Sequence, residues 1–301
     1  MTGTIKTVDF DLAATLESGQ AFRWNRAEDG WWVGVVGSRP VRLRQQGTRV
    51  EWEIGGAEMC RKNVARATKF RHDPAGEWVR RYLGLDRSWG DVVATFPRDP
   101  LLLAAAERHR GLRVLRQEPW ECLASFMASS SKQIVQIRQI VGHLAERFGD
   151  PIEAPWGAFH AFPTVDAVAR ASQARLWECK LGFRARHLLA AARLIDRGAV
   201  ALDRLPAMEY ERALEELMKL PGVGEKIANC TLLFSCGFEE AFPIDVWIER
   251  ALRRLYFPGP DRVTARQLRQ FVRSHFGPYG GWAQQYLFCQ ERGRKQTRPE
   301  Q

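Results

Sequence analysis

The stretch LPGVGEKIANC, residues 220–230, sets Gly222 and Gly224 two apart between two helical runs, EYERALEELMKL before it and EKIANCTLLFSCGF after it. A turn this short between helices calls for glycine, because glycine alone takes positive φ at little cost. The chain must therefore fold here as a tight helix–turn–helix. The second helix begins with unpaired backbone N–H groups and the positive end of its dipole, an arrangement suited to a phosphate. Lys226 stands in that first turn, where the dipole disfavours a cation. Helix stability does not ask for it. Two readings remain open on these residues alone: a solvated or phosphate-binding lysine on an ordinary hairpin, or an amine whose pKa the dipole and desolvation push down, usable as a nucleophile.

Asp245 follows 245 − 226 = 19 residues later, in FPIDVWIERALRRLYF. Its spacing predicts the N-cap of a further helix. A carboxylate capping a helix beside an amine nucleophile has a second use: it can stabilise positive charge developing on a sugar as a glycosidic bond breaks.

The rest of the chain supplies the setting. AFRWNRAEDGWWVGVV predicts a hairpin turning at Asp29-Gly30, and VRLRQQGTRVEWEI alternates Val41, Leu43 and Val50, Trp52, Ile54 about a turn at Gly47. A helix, GEWVRRYLG, follows. TFPRDPLLL, with Pro97 and Pro100, marks a boundary, after which the pattern is helical. Pro119 suits the first turn of PWECLASFMA, and the serines of ASSSK offer a break and a new N-cap. Ile134, Ile137, Val141, Leu144 and Phe148 share one face of the next helix, with Gly149 as its stop. The expectation is an α+β protein, a β-sheet domain over residues 1–98 followed by a helical domain over residues 99–301.

The 45 lysines and arginines exceed the 35 acidic residues by 45 − 35 = 10, so a polyanionic partner is expected. No apolar run approaches a membrane span. The stretch MTGTIKTVDFDLAATLESG shows no basic region followed by an apolar core, so no secretory signal is expected. The six cysteines (Cys60, Cys122, Cys179, Cys230, Cys236, Cys289) form no CxxC pair, which predicts free thiols and neither a zinc site nor an iron–sulfur cluster.

LPGVGEKIANC followed by FPIDVWIERA resembles the helix–hairpin–helix, Gly/Pro-rich loop and aspartate motif of base-excision DNA glycosylases, and within them the 8-oxoguanine DNA glycosylase/AP lyase family. SGQAFRW, LRQEPWECLASFMASSS, LGFRARHL and GPYGGWAQQYLF extend the likeness, in order, over most of the chain. The resemblance implies a TATA-binding-protein-like N-terminal sheet domain before the helical catalytic domain. It implies that Lys226 attacks C1′ of the damaged nucleotide, forms a Schiff base and nicks the strand by β-elimination, with Asp245 stabilising the oxocarbenium character of the sugar. Gly19 would accept the N7 hydrogen that distinguishes 8-oxoguanine from guanine. Cys230, Gln284 and Phe288 would read or stack on the base. Phe183 and Arg184 would wedge the duplex and contact the orphaned cytosine. Ser131, Lys132, Trp247 and the hairpin glycines Gly222 and Gly224 would lie along the DNA. The carbonyls of Met218, Leu220 and Val223 would hold a monovalent or calcium ion, with no cofactor required. The implied partner is duplex DNA containing 8-oxoguanine, met by a monomer with no membrane contact. The implied setting is cytoplasmic and nucleoid-associated in a bacterium, which is favoured, or nuclear in a eukaryote.

The chain departs from the family in places. Ser131, Lys132 and Gln133 stand where three asparagines are common, Gln136 replaces a second cytosine-contacting arginine, and Trp247 replaces a phosphate-touching histidine. These changes put strict selectivity for cytosine opposite the lesion in doubt and leave the Lys226/Asp245 chemistry intact. Iron–sulfur glycosylases are excluded, since only Cys289 lies beyond Cys236. Alkylbase glycosylases share the aspartate but not the lysine. A DNA-binding module without activity would have no use for Lys226, Asp245, Gly19, Gln284 and Phe288 together.

Overall fold

The computed structural model describes residues 1–55, 74–130, 132–259 and 263–296. Cys60 and Ser131 lie outside the described residues.

The N-terminal part contains β1 (Thr2–Lys6), α1 (Leu12–Glu17), β2 (Trp24–Arg26), β3 (Trp32–Val36), β4 (Arg39–Gln46), β5 (Arg49–Ile54) and α2 (Ala75–Tyr82). Its strands form an antiparallel sheet in the order β1-β5-β4-β3-β2. Val41 pairs with Ile54 and Leu43 with Trp52, so the expected alternation puts those four side chains on one buried face. Leu12 and Leu16 of α1 and Trp78, Val79 and Tyr82 of α2 complete that core. The turn between β2 and β3 has Gly30 at φ +82, as the Asp29-Gly30 pattern requires.

Then come α3 (Trp89–Ala94), α4 (Pro100–Arg108), α5 (Pro119–Ala128), α6 (Ile134–Phe148), a small hairpin of β6 (Pro151–Ala154) and β7 (Gly157–His160), α7 (Val165–Ala169), α8 (Gln173–Leu176), α9 (Arg184–Asp196), α10 (Tyr210–Met218), α11 (Glu225–Thr231), α12 (Val246–Tyr256), α13 (Ala265–His275) and α14 (Gly280–Gln296). α5 opens on Pro119 and is apolar on nearly every side, so it is the buried axis of the helical part, with α11 packed along it. α14 packs on α4 and α12. None of the described helices is long and apolar enough to cross a membrane. The five described cysteines are free thiols.

One capping expectation needs correcting. The N-cap of α6 is Gln133, not a serine of ASSSK, and the Gln136 side chain accepts the Gln133 N–H at 3.1 Å. Ser129 instead ends α5, its hydroxyl donating to the Phe126 carbonyl at 2.7 Å. A serine bonded back into its own helix is not available to start the next one. Gly149 does stop α6, but for its size: at φ −91 its backbone is ordinary, whereas a Cβ there would stand 1.8 Å from the Ala161 carbonyl oxygen.

The two parts meet at Glu118, the residue before α5, whose carboxylate accepts the Trp120 N–H at 2.9 Å. It lines a crevice with Trp24, Tyr82 and Glu121. Burial, reinforced by the neighbouring Glu121 charge, pushes its pKa up to about 7 from 4.5. The fold therefore holds this proton more tightly than the unfolded chain does. The stability it contributes is full below about pH 4.5 and is lost as pH rises toward about 7. Glu118→Gln keeps an acceptor for Trp120 and removes the titration. Thermal unfolding at pH 8 should show the variant more stable by about 3 kcal/mol, with the two proteins converging as pH falls toward 4.5. Equal gains at both pH values would show that the carboxyl does not titrate this way.

Candidate active site

The predicted hairpin joins α10 to α11. Gly222 takes φ +81, and a Cβ on it would lie 2.7 Å from the Cβ of His187, so both conformation and space demand glycine. Gly224 differs from expectation: it is the N-cap of α11 in extended backbone, φ −98 and ψ 178, open to any residue. What it supplies is emptiness. Nothing stands within 4 Å of where its Cβ would be, and no side chain caps the first N–H groups of α11. That end of the helix stays open to an anion.

Lys226 lies in this first turn. Its Nζ donates to Ser129 Oγ at 3.0 Å and sits 5.0 Å from the centre of the Phe126 ring. It makes no ion pair among the described residues. One turn further along α11, Cys230 faces the same way, its thiol pushed up to about 11 by burial against the opposing pull of Lys226. α11 continues into a wider π turn, Leu232–Cys236, that brings Phe234 to the same cavity. Asp245 caps α12 as expected, with Oδ1 accepting the Ile248 N–H at 2.8 Å. Its second oxygen has no hydrogen-bond partner among the described residues.

These groups open into one cavity of about 790 Å³. Gly19, Lys226, Cys230, Asp245, Gln284 and Phe288 all line it, and Lys132 and Trp247 stand on its wall. Gly19 sits at φ +85 in the loop after α1, with Phe288 Cε1 3.5 Å from where a Cβ would be. Gln284 is buried and its Oε1 has no hydrogen-bond partner among the described residues. A smaller cavity of about 330 Å³ behind the hairpin is rimmed by Glu209, Glu211, Glu225 and Glu240, two of them paired with Arg269 and Arg273 on the same rim.

The remaining candidates lie outside the cavity. Phe183 is 58% exposed just before α9. Arg184 is buried, with its guanidinium 4.4 Å from the Phe183 ring centre and donating to the Ser130 carbonyl; burial draws its pKa down. That bond takes one of the five donors of its fork. At the hairpin, the Leu220 carbonyl accepts the Val223 N–H at 3.1 Å. The carbonyls of Met218 and Val223 accept no backbone hydrogen bond from the turn that follows them. Unpaired carbonyl oxygens on one turn are hard donors of the kind an alkali or alkaline-earth ion takes.

Sequence reasoning missed the groups that hold the site in place. Ser129 anchors the lysine from a different helix. The loop carrying Gly19 is fixed by side chains from the helical part: Gln285 Nε2 donates to the Ser18 carbonyl at 3.0 Å and Gln117 Nε2 to the Gln20 carbonyl at 2.8 Å. Gln20 returns the grip, donating to the Arg113 carbonyl at 2.7 Å and accepting the Leu115 N–H at 2.8 Å. No local pattern marks any of these.

Comparison with known proteins agrees with this geometry. Residues 4–123 match the family model of the 8-oxoguanine DNA glycosylase N-terminal domain, and residues 124–274 that of the HhH-GPD superfamily base excision DNA repair proteins. The chain is 28% identical to the Arabidopsis thaliana N-glycosylase/DNA lyase OGG1, over 96% of its own length and 79% of that protein's. It superposes with a TM-score of 0.85 and 31% identity on the Clostridium acetobutylicum 8-oxoguanine glycosylase/lyase bound to duplex DNA with cytosine opposite 8-oxoguanine, covering 98% of each chain. The ligand-free form of that bacterial enzyme gives a TM-score of 0.83 at 33% identity, with 95% of each chain covered. A sheet domain, a hairpin lysine and a capping aspartate on one cavity, and matches along nearly the whole length lead to one conclusion: the chain belongs to the 8-oxoguanine DNA glycosylase family of the HhH-GPD base excision repair superfamily.

Proposed function

We propose that this protein excises 8-oxoguanine from duplex DNA and then nicks the abasic strand, with Lys226 as nucleophile. The observation that carries the reading is the opening of the Lys226 amine, the free oxygen of Asp245 and the Gly19 loop into one cavity of about 790 Å³. A flipped nucleoside fits there, and the base must leave the stack because no side chain reaches C1′ within a duplex. Exposed Phe183 is suited to fill the vacated step. The open N-terminus of α11, with Lys132 and Trp247 nearby, would hold the flanking phosphates.

In the first step the unprotonated amine of Lys226 forms a bond to C1′ as the bond from C1′ to N9 breaks, and the base leaves with that electron pair and takes up a proton. The carboxylate of Asp245 offsets the positive charge of the sugar. The resulting aminal opens to a Schiff base, and loss of the C2′ proton expels the 3′ phosphate. Gly19 would select the lesion by accepting N7–H, where guanine offers a repelling lone pair; Gln284 and Phe288 would bind its Watson–Crick edge and face, with Cys230 packed against it. No cofactor enters these steps. An ion on the carbonyls of Met218, Leu220 and Val223 would add positive charge beside a phosphate.

Borohydride trapping on a duplex with one 8-oxoguanine tests the reading: a covalent adduct is expected, and its absence would favour a water-based or inactive relative. Opposite-base choice is the finer test. Gln136 is exposed and accepts the N–H of the N-cap Gln133, so it offers an amide where a second arginine would offer charge-assisted donors. Single-turnover excision opposite the four bases should show Gln136→Arg favouring cytosine over thymine about fivefold more than wild type does, roughly 1 kcal/mol. Losing the bond to the Gln133 N–H lowers stability by on the order of 1 kcal/mol, so the ratio of rates is the readout. An unchanged ratio would remove Gln136 from the orphan-base contact.

A further inference from the structure

Of the four successive carbonyls from Glu17, the last residue of α1, to Gln20, three are taken by side chains of the helical part. Glu17 O accepts from Arg292 Nη1 at 3.0 Å, Ser18 O from Gln285 at 3.0 Å and Gln20 O from Gln117 at 2.8 Å. Only the Gly19 carbonyl accepts no hydrogen bond among the described residues. Arg292 is more than a strut for this loop. It lies on α14 one turn beyond Phe288, lines the same cavity, and places Nη1 3.8 Å from where a Cβ of Gly19 would stand. A guanidinium has five N–H donors. The structure gives this one a single hydrogen bond and no carboxylate partner among the described residues.

We infer that Arg292 is a specificity-determining residue, donating to the oxygen on C8 of the damaged base beside the N7–H taken by Gly19. The inference rests on the excision reading above. Its logic is the polarity of one edge. Guanine shows N7 as an acceptor next to a weakly positive C8–H. In 8-oxoguanine both signs reverse, to an N7–H donor next to a C8 carbonyl acceptor. The cavity offers the complement of the lesion, a free carbonyl at Gly19 adjoining a cation at Arg292, and so opposes guanine at both positions. A charge-assisted bond to the C8 oxygen is also about twice as strong as a neutral one.

The test uses the full-length protein, with Arg292→Met and Arg292→Lys, on three duplexes: 8-oxoguanine, 8-thioguanine and a preformed abasic site. The lysine can keep the single bond to Glu17 O, but its donors sit on one nitrogen and lack the second, spaced nitrogen with which the fork would reach the base. Excision of 8-oxoguanine should fall about tenfold or more in both variants, while strand cleavage at the abasic site stays within about twofold of wild type. Sulfur is a weak acceptor, so the ratio of wild type to Arg292→Met should shrink to within about threefold on 8-thioguanine. Arg292→Lys at wild-type rate would overturn the inference, leaving Arg292 as an anchor for Glu17. So would parallel loss of excision and cleavage, or equal ratios for oxygen and sulfur. A wild-type protein that fails to excise 8-oxoguanine at all would instead count against the proposed function.

Discussion

Replacing Lys226 with glutamine should abolish both base release and the borohydride-trapped adduct, a loss of at least about a thousandfold, while duplex binding stays close to wild type. An amide nitrogen has no free electron pair to give C1′, so the covalent route closes whatever else the cavity retains. Glutamine is polar and of similar reach, and can still meet the Ser129 hydroxyl that holds the lysine at 3.0 Å. The fold should not suffer. The change removes a cation from the positive end of α11, an unfavourable position to begin with, so the melting temperature should hold or rise slightly. In the proposed reading binding would rest on the open N–H groups and the other basic side chains, and one half-buried lysine is a small part of a net charge of +10. A trapped adduct of undiminished yield in the variant would place the nucleophile elsewhere.

That lysine was legible in the sequence because its anomaly is local: a cation where the helix dipole disfavours one. Asp245 was legible for a similar reason, since an N-cap is a matter of residue type and spacing. The strand pairs followed from alternation and glycine turns. What escaped depends on packing across long separations. Ser129 meets Lys226 from 97 residues away, because α5 and α11 pack together. Arg292 reaches Glu17 across 275 residues, because α14 lies against the loop after α1. Neither contact leaves a trace in the composition or periodicity of its own segment. The serines before α6 misled for the converse reason: a hydroxyl that suits an N-cap equally suits a bond back into the helix it ends, and only the observed geometry separates the two. Arg184 shows a third case. Its fork could be expected from residue type, but its burial against Ser130 could not.

Asp245→Asn should separate the two roles that coincide in one carboxylate. As a cap, the side chain needs only an oxygen for the Ile248 N–H, now bonded at 2.8 Å, and the asparagine carbonyl supplies it. Asparagine caps about as well as aspartate. The stability lost is therefore chiefly that of a negative charge at a helix N-terminus, about 0.3–1 kcal/mol. In the proposed mechanism the carboxylate would act through its charge, offsetting the cationic character of the sugar while the bond from C1′ to the base breaks, and a neutral amide would not replace it. Removing one such preorganised group costs on the order of a hundred- to a thousandfold in rate, which is the expected fall in 8-oxoguanine excision. Cleavage at a preformed abasic site should fall less, because there the amine of Lys226 adds to an aldehyde and no oxocarbenium-like sugar forms. Asp245→Ala completes the comparison: its excision rate should match that of asparagine, with a further stability loss of about 1 kcal/mol from the missing cap. The measurements are single-turnover excision, abasic-site cleavage and thermal unfolding on the same three proteins. Excision by Asp245→Asn within about twofold of wild type would leave Asp245 as a helix cap alone.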